Sequence, residues 1–366
     1  MKSLYVIGPI VMETDHVGYW QIHPFILFKK EFRKAGYDVI LKQALTVEDI
    51  KNETDQIDQA DIIFFRPGWP ENKEEVLKLS KSLREKYHDS KLIMIDPWDQ
   101  TSSFFFESLP YLNAMVKYET LSDKSLYLKD YKTGVYLNDK LIDEVGMSLA
   151  EGWSVKSTIK KGQQHKIVSG NFIIDPYIIP KIRSPINNFL LGMRRNNVGL
   201  FCHMSVGKRG KLEWYGKHRL LAIEQMKKLS NYNISVEAEY DGEPRISRRQ
   251  YVKRLKASKV AFSPLGWGEM TMRSFEAIAH RSLLIQPDIS HLDIFPNIFV
   301  PYETYIPVKL DLSDLAEKCE YYINNKGKRI EIVNNAREAF LREFTSEKFI
   351  SHMEAIIATP ESPQIL

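Results

Sequence analysis

Apolar residues along this chain recur at two spacings, and the alternation between the two predicts the architecture. Short apolar runs at 4–8, 38–41, 60–65 and 91–95 read as buried strands. Between them, 24–35 carries Phe25, Phe28 and Phe32 on one helical face with Gly36 as its C-terminal cap, and 73–87 is a second helix. From 115 to 175 the pattern loosens, with a hairpin predicted at 130–139 around Thr133-Gly134 and a helix at 141–151. Pro176, Pro180 and Pro185 mark a connection over 176–196. A second series then begins: strands at 198–202, 234–238, 259–262, 283–286 and 298–300, helices at 217–229, 247–257 and 312–324, and a helical tail over 329–358. Strands alternating with helices imply parallel sheets covered on both faces. The expected fold is therefore α/β, two Rossmann-like parallel-sheet domains facing across a cleft, over 1–185 and 190–345, with a C-terminal helical tail at 346–366.

The stretch 263–280, SPLGWGEMTMRSFEAIAH, stands out within the second series. Gly266 and Gly268 after a strand permit a tight turn and close approach of backbone to a ligand. The helix that follows aims free N–H groups at whatever fills the turn, and anions suit that place. Glu269, Arg273 and Glu276, at i, i+4 and i+7, fall on one helical stripe, with Phe275, Ile278 and Ala279 on the opposite side facing the core. A cation beside N–H groups suits a diphosphate, and the deeper carboxylate suits ribose hydroxyls. Taken as structure alone, the same residues are an ordinary Glu/Arg pair on a surface helix.

Composition narrows the class. Over 366 residues, 43% hydrophobic and 27% charged content supports two folded cores. No run approaches the ~20 apolar residues of a membrane span, and two distant cysteines, Cys202 and Cys319, form neither a disulfide framework nor a metal cluster. The expectation is a cytoplasmic protein, with contact to the inner face of a membrane as an option. The net charge is only +4, yet 181–260 holds 18 Lys and Arg against 6 Asp and Glu, which makes one region electropositive. Lys208 and Arg209, in a loop expected at 205–210, would join Arg273 on one diphosphate and stabilise a leaving group without a metal. Asp-x-Asp and His-Glu-x-x-His are both missing from the sequence, so no metal and no cofactor are expected.

The run KVAFSPLGWGEMTMRSFEAIAHRSLLIQPD, continued by PNIFVPYETYIPVKLDLSDLAEKCEYYINN, resembles the C-terminal donor domain of exostosin-like glycosyltransferases within the GT-B fold; the likeness covers 249–325. It implies an enzyme that moves a sugar from a nucleotide sugar to an acceptor hydroxyl in surface polysaccharide or glycan assembly. The acceptor would be a glycan or a lipid-linked molecule bound by the first domain. Gly268 and Arg273 would then stand near the phosphates and Glu276 on the ribose. Many retaining members carry two glutamates separated by seven residues; Glu269 and Glu276 have six between them, so inversion is expected.

Inversion needs a general base on the acceptor side. Loops 8–23, 66–72 and 96–103 lie at the carboxyl ends of the first strands and supply candidates: His16 oriented by Asp99, or Asp15 or Asp96 acting directly. Trp69 and Trp98 are candidates to stack on a sugar ring, although an aromatic beside proline is as often a packing anchor. Two rival functions use the same features, a nucleotide-sugar epimerase in the same cleft and a nucleic-acid-binding module on the basic 181–260 surface. The second is not expected, because those cations are not interleaved with aromatics.

Overall fold

The computed structural model describes residues 1–147, 155, 157–170, 174–194, 196–208, 211–212 and 214–360. Its first half runs β1 (Lys2–Gly8), α1 (His16–Leu27), α2 (Lys29–Lys34), β2 (Tyr37–Gln43), α3 (Val47–Asp55), β3 (Ile62–Phe65), α4 (Lys73–Lys86), β4 (Lys91–Ile95), β5 (Ala114–Lys117), β6 (Thr120–Leu121), α5 (Tyr136–Val145) and β7 (Ile167–Ser169). Six of these strands form one parallel sheet in the order β2-β1-β3-β4-β5-β7. The wholly buried run Ile62–Phe65 explains why the inner strands read as unbroken apolar stretches: both faces of such a sheet are covered.

Two short helices, α6 (Ile179–Arg183) and α7 (Pro185–Gly192), connect to the second half. There follow β8 (Val198–Lys208), β9 (Lys211–Leu212), α8 (Trp214–Lys227), β10 (Ile234–Tyr240), α9 (Arg248–Lys256), β11 (Ser258–Phe262), α10 (Met272–His280), β12 (Leu283–Pro287), β13 (Leu292–Asp293), β14 (Ile306–Val308), α11 (Leu315–Asn324), α12 (Lys326–Glu343) and α13 (Ser346–Ile357). The second sheet is parallel in the order β10-β8-β11-β12-β14, with β9 antiparallel on β8. Both sheets reverse strand order beside their first strand, between β1 and β3 and between β8 and β11. Ligands of open α/β sheets gather at the carboxyl side of such switch points.

Several predicted elements differ, among them the strand expected at 298–300, which is not formed: the strand that pairs with β12 is β14, at Ile306–Val308. The segment 130–139 is no hairpin: the Asp139 carboxylate accepts N–H bonds from Lys132 (2.7 Å) and Thr133 (3.0 Å), tying a turn to the first turn of α5. The residues after Thr133-Gly134 therefore begin a helix rather than a second strand; part of the helix expected at 141–151 lies outside the described residues. Helix α1 begins eight residues before the expected start because Asp15 caps it, accepting from the Gly18 N–H at 2.9 Å. Finally, 205–208 is not a loop but the end of β8, paired with β9 through Gly207↔Leu212 and Lys208↔Lys211.

The halves are joined by more than the connection. Antiparallel β6 and β13 pair across them, and α13 returns to the first half, where Phe349 packs on Phe25, Phe28 and Phe32. One apolar core consequently runs from Leu4 and Phe64 through Phe275 and Phe340 to Phe349. Among the described residues, no helix is long and apolar enough to cross a membrane.

Candidate active site

The glycine turn lies between the halves. Its geometry assigns the two glycines different jobs: a β-carbon at Gly268 would run into the Asp99 carbonyl oxygen and come within 2.7 Å of Glu119 Oε1, whereas one at Gly266 would meet nothing nearer than 3.4 Å. Gly268 is thus required where the first half touches the turn. Glu269 is not on the helical stripe, since α10 starts at Met272 with Thr271 at its N-cap position. The backbone N–H groups of Glu269 and Met270 both donate to the Glu119 carboxylate, at 2.9 Å each, and the Tyr118 hydroxyl donates to the Met270 carbonyl. Two of the N–H groups expected to hold a phosphate therefore hold a first-half carboxylate. Burial and then the neighbouring Glu269 push the Glu119 pKa well up, against the pull of those two N–H groups.

Arg273 and Arg219 converge at the second switch point. Arg273 Nη2 donates to the His203 carbonyl at 2.7 Å and its Nε to the Tyr251 hydroxyl at 3.2 Å. Arg219, on α8, bridges the ends of β8 and β11 through bonds to Ser205 O (2.5 Å) and Leu265 O (2.8 Å). Burial first, and then the charge of Arg273, lower the Arg219 pKa to about 10, so both groups remain cationic at neutral pH. Arg219 is thus held by two carbonyls, and Arg273 by a carbonyl and the Tyr251 hydroxyl, with Tyr251 and then Glu276 favouring the charged form of Arg273. Glu276 is 5% exposed, accepting from the Tyr251 hydroxyl at 2.8 Å and pairing with Arg248 at 2.5 Å. It anchors Tyr251, and through it Arg273.

Lys208 is exposed on the β8–β9 hairpin, and Arg209 lies outside the described residues. Beside the turn, a pocket of about 320 Å³ opens between α5 and the ends of β12 and β14, lined by Lys140, Glu269, Asp288, His291, Lys309 and Asp311 among others. Within it, Glu269 Oε2 stands 2.8 Å from His291 Nε2, while the buried Glu269 Oε1 has no hydrogen-bond partner among the described residues. An orphaned carboxylate oxygen in a polar pocket is an acceptor waiting for hydroxyl donors.

On the first half, the candidate bases separate by environment. Asp15 caps α1 and pairs with the buried Arg66 at 2.9 Å; Arg66 also donates to Gln21. Asp96 is fully buried against Lys117 and accepts from the Ser103 hydroxyl at 3.1 Å, which makes it a structural ion pair. His16 is exposed at the start of α1, and no hydrogen bond or ion pair joins it to Asp99, so the expected His16–Asp99 dyad is not formed. Asp99 remains. Its side chain accepts no hydrogen bond among the described residues, and its carbonyl lies against Gly268. Burial raises its pKa to about 6, opposed by Lys117 and Arg66. Trp98 and the exposed Trp69 meet edge to face at 5.8 Å on the same rim.

Sequence reasoning missed Arg219, Glu119, Tyr251 and His291. Arg219 had one signal, a basic residue in the helix that follows the first strand of the second series; Glu119 had none, being 150 residues from its partner.

Comparison with known proteins fits this geometry. Residues 213–355 match the family described as Glycosyl transferase-like. The sequence matches no curated protein. A glycosyltransferase from Rickettsia africae ESF-5 shares the fold with a TM-score of 0.52 over 97% of this chain and 97% of its own, at 13% identity. An alpha-glucosyltransferase in complex with UDP-glucose and DNA containing an abasic site superposes with a TM-score of 0.51 over 97% of this chain and 99% of its own, at 10% identity. The chain has the two-domain GT-B fold of glycosyltransferases, and its second half carries a glycosyltransferase-like domain.

Proposed function

We propose that this GT-B glycosyltransferase moves a sugar from a nucleoside-diphosphate donor to an acceptor hydroxyl with inversion and without a metal. The observation that carries the reading is the Arg219–Arg273 pair at the switch point of the second sheet. In this reading the diphosphate lies on the two guanidiniums and the sugar reaches toward Glu269 and His291. The ribose sits near Glu276, displacing the half-exposed Arg248. As the bond from the anomeric carbon to the phosphate oxygen breaks, its electron pair goes to that oxygen, where the arginines stabilise the developing charge. The acceptor oxygen attacks from the opposite face and gives its proton to Asp99. Two fixed side-chain cations supply the neutralisation that a divalent ion would otherwise bring.

A thermal-shift panel of UDP, GDP, ADP and CMP with their sugars tests it, since a ligand of the native state raises Tm by mass action. One nucleotide series should stabilise the protein, and Arg219→Ala and Arg273→Ala should each weaken that binding at least about tenfold, the ~1.5–3 kcal/mol of a charged hydrogen bond. No stabilisation by any nucleotide would overturn the reading. Turnover should persist in chelator, and a product assay with and without acceptor separates transfer from epimerisation. The solved alpha-glucosyltransferase bound to DNA shows that nucleic acid is not excluded by this fold. The acceptor set to test therefore includes DNA beside glycans and lipid-linked sugars.

A further inference from the structure

Helix α7 carries a face that the cleft does not use. Ile186, Phe189, Leu190 and Met193 are 72%, 66%, 54% and 69% exposed, and their i, i+3, i+4, i+7 spacing puts them on one stripe. Single exposed apolar residues are ordinary, whereas four large ones on one stripe mark an interaction surface. The opposite side of the helix is fastened: Leu191 is buried, and Asn188 accepts from Arg281, which also donates to Asn334 at 2.8 Å. The stripe is thus presented on a fixed support.

Cations border it. Lys181 and Arg183 precede α7, and Arg194 follows it. Lys256, at the end of α9, is half-buried, and burial and then the charges of Arg194 and Lys181 lower its pKa. His280 is lowered to about 3 by burial and then by Lys256, Lys181, Arg248 and Arg194. These positive groups from α6, α9 and the end of α7 crowd one another.

We propose that α7 and its flanking cations dock the protein on an anionic lipid bilayer, with the stripe in the headgroup layer and Lys181, Arg194 and Lys256 against lipid phosphates and carboxylates. An apolar stripe rimmed by Lys and Arg is the pattern of a helix that lies in an interface. A second copy of the chain suits it less well, because a two-fold contact sets the same patch against itself and brings the cations together. The stripe also lies away from the cleft. Helix α7 rests at the C-terminal end of α10, about 13 Å along that helix from the glycine turn at the other end.

Co-sedimentation of the full chain with phosphatidylcholine vesicles, with and without phosphatidylserine, tests the proposal. Pelleting is expected only with phosphatidylserine and should weaken with added salt. Lys181→Ala and Arg194→Ala should each lower partitioning about fivefold, and Ile186→Asp/Phe189→Asp should abolish it. Unchanged Tm and nucleotide binding in that double variant would show that fold and cleft survive. Equal pelleting on both vesicle types, no pelleting on either, or a dimer in light scattering that the double variant dissociates would each overturn the proposal.

Discussion

Asp99 is set apart from the other acidic candidates by what does not hold it. Asp15 is spent on a helix cap and Arg66, and Asp96 on Lys117, while Asp99, whose backbone carbonyl abuts Gly268, has a pKa raised to about 6 by burial. A base must be deprotonated to act, so activity should climb as pH rises through about 6 and level off above it. Asp99→Asn should lower kcat by about 10²–10⁴-fold and remove that acid limb, with donor KM little changed. A pH–rate profile of the variant that keeps the limb would reassign the base. Arg273 and Glu276 were legible in the sequence because one short motif contains both. Arg219 and Glu119 were not, because their roles arise only when strand ends or domains meet.

Gly268 shows the same division at the scale of elements. The sequence announced a turn, but the demand for glycine comes from Asp99 and Glu119, which approach from the other half. Gly268→Ala should destabilise the fold by about 1–3 kcal/mol through overpacking. Gly266→Ala, with ordinary space around it, should change Tm little; thermal unfolding of the pair distinguishes the two. Most buried strands were readable as apolar runs, since coverage on both faces leaves no polar alternation. The strand end 205–208 was not, because Ser205, Gly207 and Lys208 are the residues of a loop and only pairing with β9 makes them strand.

At the scale of the molecule, two parallel sheets were legible from periodicity, but the short strands β5, β7 and β14 and the contacts joining the halves were not. The β6–β13 ladder has two residues on each side, too short to leave a pattern. Helix α13 was legible as a helix; where it packs depended on the ring cluster that receives Phe349. Phe349→Ala should cost about 3–5 kcal/mol, measurable by urea unfolding, and should loosen the first half although residue 349 follows both sheets in sequence. The placement of α13 also sets an order of events during synthesis. The first sheet leaves the ribosome early, yet Phe25, Phe28 and Phe32 wait for Phe349, made some 160 residues after 185. At 5–20 residues per second that is roughly 8 to 32 s. For that interval the nascent chain carries an uncovered aromatic face, a natural hold for a chaperone, which only the synthesis of α13 can close.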